Sequence, residues 1–106
     1  MKIICLCSEG NSRSAACAFV LKQHGHEALA AGMRATSRNT RKMLFEWADV
    51  IILHLGALKH WIPEEYHHKV KVWDVGPDIF FRDYDESLKE SFEHFLATDS
   101  PSKIDL

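Results

Sequence analysis

The stretch Lys2-Ile3-Ile4-Cys5-Leu6-Cys7-Ser8-Glu9-Gly10-Asn11-Ser12-Arg13-Ser14 decides how the rest of the chain is read. Lys2 to Leu6 is short and almost wholly apolar, as expected of a strand buried on both faces. Ser8 to Ser12 is a polar loop holding Gly10 and Asn11, residues that tolerate unusual backbone angles. From Ser14 to Gln23 the chain turns to helix formers, with Ala15, Ala16, Phe19 and Val20 on one face and Gly25 placed as the stop. A strand, a tight loop and a helix follow one another within two dozen residues.

Outward from there the pattern repeats. Glu27 to Ala31 predicts a second strand, and Ser37 to Trp47 a helix with Met43, Leu44 and Trp47 on one side and Arg38, Arg41 and Lys42 on the other. Asp49 to Leu55 is β-branched and apolar without alternation, which predicts a central parallel strand. Gly56 to Trp61 predicts a short helix ended by Pro63. Lys69 to Trp73 alternates charged and apolar residues, the mark of an edge strand. Leu88, Phe92 and Phe95 recur at helical spacing behind the acidic start Asp83 to Glu86, and acids there complement the helix dipole. The order β-α-β-α-β-(α)-β-α implies an α/β three-layer sandwich, a four-stranded parallel sheet flanked by helices. Residues 1–97 form one domain, and 98–106 read as a loosely held tail.

Composition excludes several classes. With 106 residues, 46% hydrophobic and 26% charged, the chain suits one globular domain and neither a disordered segment nor a coiled coil. No apolar run approaches the roughly 20 residues that span a bilayer, so no membrane role is expected. The opening run is too short for a signal peptide, and three cysteines, an odd number, do not suggest a disulfide framework. A cytoplasmic setting with free thiols is the expectation. Basic residues outnumber acidic ones seven to two over 1–45, and acidic outnumber basic eight to three over 76–106. A basic half could serve nucleic acid, but the basic residues form no run, and a small-anion site fits as well; composition alone does not decide, and the net acidic balance points away from nucleic acid.

The chemistry lies in Cys7 to Ser14. Backbone N–H groups of such a loop point inward, and the helix N-terminus adds partial positive charge, which makes an oxyanion cradle of Ser8, Glu9, Gly10, Asn11 and Ser12. The Arg13 guanidinium can hold two phosphate oxygens at once. The same positive field favours the ionised, nucleophilic form of a cysteine at position 7, and Ser14 is placed to donate its hydroxyl to that sulfur. His24-Gly25-His26 and His67-His68 lack metal-ligand spacing, so neither a metal nor a cofactor is expected. Cys5 and Cys17 read as packing residues.

The spelling C-x-x-G-x-S-R-S resembles the loop of cysteine-dependent tyrosine phosphatases, dual-specificity members included. Its place after the first strand is similar to the low-molecular-weight family, as are Ala30 to Gly32, the basic Ser37 to Lys42 helix start and Trp47-Ala48-Asp49. Gly10 stands where many members carry Asn. The resemblance covers about residues 1–96. It implies Cys7 as nucleophile, Arg13 as phosphate clamp and a late aspartate as general acid. Within Trp73-Asp74-Val75-Gly76-Pro77-Asp78 the order Pro77-Asp78 favours Asp78, with Asp74 the alternative. The expected function is hydrolysis of a phosphorylated protein or small phosphomonoester through a phosphocysteine. Two rivals stand beside it. A non-catalytic phospholigand-binding module would use the same cradle. Arsenate reduction would need a resolving thiol late in the chain, and no cysteine follows Cys17.

Overall fold

Four parallel strands carry the molecule, in the spatial order β2-β1-β3-β4. They are β1 (Lys2–Cys7), β2 (Glu27–Gly32), β3 (Val50–Leu53) and β4 (Val70–Val72), separated by helices α1 (Ser12–Gln23) and α2 (Arg38–Trp47) and by two short 3-10 helices, Gly56–Trp61 and Glu64–Lys69. The last helix, α3, spans Glu86–Thr98. The structure, a computed structural model, describes residues 1–8, 12–75 and 86–99. Register pairs Cys5 with Ala30 on one side and Ile52 on the other, so β1 has a neighbour along both edges.

Strand alternation sends side chains to two separate cores. Ile3, Cys5, Val50 and Ile52 face α1 and α3, where Ala16, Cys17, Val20, Leu21, Trp73, Leu88 and Phe92 complete a buried cluster. Ile4, Leu6, Ile51 and Leu53 face the other way, onto Met33, Phe45, Ala48, Leu58, Ile62 and Tyr66. Strands buried on both faces read as unbroken apolar runs, which is why β1 and β3 show no alternation in sequence.

Helix ends follow local chemistry. Gly25 sits at φ 87° just beyond α1, in the left-handed region that favours glycine. The Ser37 side chain caps α2, accepting from the Thr40 backbone N–H at 3.2 Å. The face of α2 differs from expectation. Phe45 is its buried residue and Met43 is 69% exposed, because the inward stripe runs through Arg41, Leu44, Phe45 and Ala48. Arg41 lies on that inner side because its guanidinium donates to the carbonyls of Met33 (2.9 Å) and Thr36 (2.6 Å).

Of the tail expected over 98–106, Thr98 closes α3 and Asp99 is held by side-chain bonds. Asp99 accepts from Lys71 Nζ at 2.6 Å and from Trp73 Nε1 at 2.9 Å, which ties the end of α3 to the end of β4. Residues 100–106 lie outside the described residues. Among the described residues no helix is long and apolar enough to cross a membrane.

Candidate active site

Parallel strands place all their carboxyl ends along one edge of the sheet, and ligands of such folds sit there. Hydrogen bonds continue beyond the strands on that edge. Met33 donates to the Cys7 carbonyl (2.9 Å), Arg34 to Ser8 (2.9 Å), His54 to Leu6 (3.0 Å) and Trp73 to Leu53 (2.8 Å), all backbone to backbone. The start of the loop is thereby pinned between the segments that follow β2 and β3.

Cys7 closes β1 and is 1% exposed. Its Sγ donates to Ser14 Oγ at 3.3 Å, within the first turn of α1, and Ser14 is fully buried. When the sulfur is ionised the same hydroxyl turns donor, so the contact serves both forms of the sulfur. Arg13 is 6% exposed, and its guanidinium reaches the His54 carbonyl at 3.5 Å. A cysteine, a hydroxyl and a guanidinium from the end of one strand and the start of the next helix are thus gathered beside the end of β3. That set can hold a tetrahedral oxyanion against a sulfur.

The structure brings Cys7, Arg13 and Ser14 together, with Ser8 on the loop's first turn. Glu9, Gly10 and Asn11 lie outside the described residues, as do Asp78, Phe80, Phe81 and Tyr84; Ser12 is described as the first residue of α1. Asp74 is exposed after β4, lining a surface depression with Glu90, Ser91, His94 and Phe95 of α3. His54 belongs to this region and was not singled out from sequence. Its signal was parity: two residues beyond Ile52 on β3, it falls on the same sheet face as Cys5 and Cys7.

No protein-family model matches the chain, and no curated relative matches it with significance. Solved structures do. The YwlE arginine phosphatase from Geobacillus stearothermophilus aligns with a TM-score of 0.66 at 16% identity, over 99% of this chain and 98% of that one. A YwlE mutant from Bacillus subtilis aligns with a TM-score of 0.59 at 16% identity, over 96% of this chain and 95% of that one. Cys7 and Arg13 stand on a framework that aligns with these two structures over nearly its whole length, and the chain shares their fold.

Proposed function

We propose that the chain is a cysteine-dependent phosphohydrolase working through a phosphocysteine. The observation that carries this reading is the buried Cys7 sulfur at 3.3 Å from Ser14, beside Arg13 at the carboxyl edge of a parallel sheet. In the first step Cys7 sulfur attacks phosphorus, Arg13 and the loop amides hold the equatorial oxygens, and Asp78 gives its proton to the leaving atom. In the second, Asp78 takes a proton from water as that water attacks phosphorus, and the Cys7 thiolate departs with inorganic phosphate released. Ser14 stabilises the thiolate both as it enters and as it leaves. Asp74 is the alternative acid, and the Pro77-Asp78 order favours Asp78.

For the substrate, an aryl phosphomonoester such as phosphotyrosine is the first reading, on the spelling of the Cys7 loop. Phosphoarginine is the second, favoured by the name of one structural neighbour. The test is release of phosphate from p-nitrophenyl phosphate and from phosphoarginine over pH 5–8, about the range in which such acid–base pairs operate. Parent, Cys7→Ser, Asp74→Asn and Asp78→Asn are compared with EDTA and reductant present. Cys7→Ser is expected to abolish turnover and Asp78→Asn to lower it by about 10²–10⁴. Cys7→Ser as active as the parent sinks the mechanism. A reduced parent that binds phosphate without releasing product makes the loop a receptor for a phosphorylated ligand.

A further inference from the structure

Three soft donors meet inside the core from places far apart in the chain. Cys5 comes from β1, Cys17 from α1 and His54 from the residue after β3, and each is 0% exposed. Both cysteines are free thiols. The two sulfurs and a His54 ring nitrogen all lie within 4.8 Å of one another. The fold causes the meeting: alternation turns Cys5 and His54 to one sheet face, and α1 lays Cys17 over it.

The histidine is oriented by its other side. His54 Nδ1 is 3.1 Å from the Trp73 carbonyl, which can only accept, so Nδ1 carries the hydrogen. In the neutral ring Nε2 is then a bare acceptor. It is buried, and it makes no hydrogen bond among the described residues. A buried acceptor left in this condition destabilises a fold, and an apolar side chain at position 54 would pack the same space without it. An imidazole beside two thiols, with one nitrogen tied to a backbone carbonyl, has the outer-shell bond that orients metal-ligating histidines.

We propose that Cys5, Cys17 and His54 form a buried seat for a thiophilic d10 cation, Zn²⁺ or Cu⁺, distinct from the Cys7 loop. Loading is a ligand exchange in which no electron moves. Each thiol that binds as thiolate gives its proton to solvent, and Nε2 donates its lone pair. Zn²⁺ with two thiolates and a neutral imidazole carries no net charge, nor does Cu⁺ with one thiolate and one thiol, so either suits an apolar core. Metal–sulfur bonds of about 2.3 Å and metal–nitrogen bonds of about 2.0 Å bring donors to roughly 3.5–4 Å apart, a small contraction from the arrangement observed. The seat shares His54 with the Arg13 contact, so an ion there braces the carbonyl on which the clamp rests.

The test uses the Cys7→Ser chain, reduced, in which Cys5 and Cys17 are the remaining thiols. It is titrated with Co²⁺ as a coloured stand-in for Zn²⁺, then with Zn²⁺ in competition, and separately with chelated Cu⁺ without oxygen. The expected result is one equivalent of Co²⁺ with a thiolate charge-transfer band that Zn²⁺ bleaches, or one equivalent of Cu⁺ that shields both thiols from alkylation. Either ion should raise Tm by about 10 °C at roughly hundredfold excess over Kd. Affinity should fall as pH falls, because binding displaces protons. Cys17→Ala and His54→Gln, each shown to be folded by circular dichroism, should lose the band and the Tm rise. If either fails to fold, alkylation of Cys5 and Cys17 in the Cys7→Ser chain with and without ion decides. Free thiols with no band, no protection and no Tm shift overturn the proposal. So does a band that survives in folded Cys17→Ala, or one present in the parent and absent after Cys7→Ser.

Discussion

Ser14 illustrates how much one buried hydroxyl can govern. It has no route to solvent, and its oxygen meets the Cys7 sulfur at 3.3 Å. A hydrogen bond to a charged partner is worth about 1.5–3 kcal/mol, so Ser14→Ala should slow phosphate release by about 10–100-fold with little effect on Tm. Single-turnover kinetics on p-nitrophenyl phosphate checks this, and an unchanged rate removes Ser14 from the mechanism. Arg13→Lys should cost about 10²–10³ in kcat/KM, because an ammonium cannot span two oxygens as the guanidinium does. The meeting of Cys7, Arg13 and Ser14 was legible in the sequence because it depends on spacing along one strand–loop–helix turn. His54 was not, because only the neighbouring strand brings it to Cys5. Met43 was misplaced for a related reason: side-chain apolarity suggested an inner face, whereas Arg41 takes that place by bonding two carbonyls.

At the scale of elements, the joints between them carry separable energies. Gly25 stands at φ 87° with nothing within 4 Å of a Cβ built there, so Gly25→Ala meets backbone strain and no clash. A loss of about 1–2 kcal/mol is expected in urea unfolding. Asp99 ties α3 to β4 through Lys71 and Trp73. Burial alone would raise its pKa, but the bonds from Lys71 and Trp73 bring it below the ordinary carboxylate value. A lowered carboxylate stabilises the fold above its unfolded pKa, and that contribution fades as pH falls through the folded one. The side chain is 44% exposed, so screening limits the effect to about 1 kcal/mol near neutrality. Asp99→Asn should lower stability at pH 7 and narrow the gap to the parent in acid. A gap that stays constant down to pH 2 would show that the charge contributes nothing. Strand β4 was legible as an edge from its alternation. The second 3-10 helix and the Asp99 tie were not, since both answer to contacts with distant residues.

Over the whole molecule, one sheet separates two cores that share no side chain. Val20→Ala on the α1 face and Ile62→Val on the α2 face should each destabilise, by about 2 and about 1 kcal/mol. Their sum should hold in the double variant to within about 0.5 kcal/mol, with an unchanged urea m-value. A larger coupling would mean that the sheet transmits repacking between its faces. The α/β order was legible from periodicity because parallel strands need crossover helices, and that requirement is local to each strand–helix unit. For the proposed acid the sequence offers a choice between Asp78 and Asp74, because neither belongs to a periodic pattern. Helix α3 comes after every strand among the described residues, yet Leu88 and Phe92 complete the core over Cys5 and Cys17. During synthesis, therefore, this side of the sheet is covered by α1 alone until α3 clears the ribosome, and for that interval the two inner thiols are less shielded from whatever the nascent chain meets.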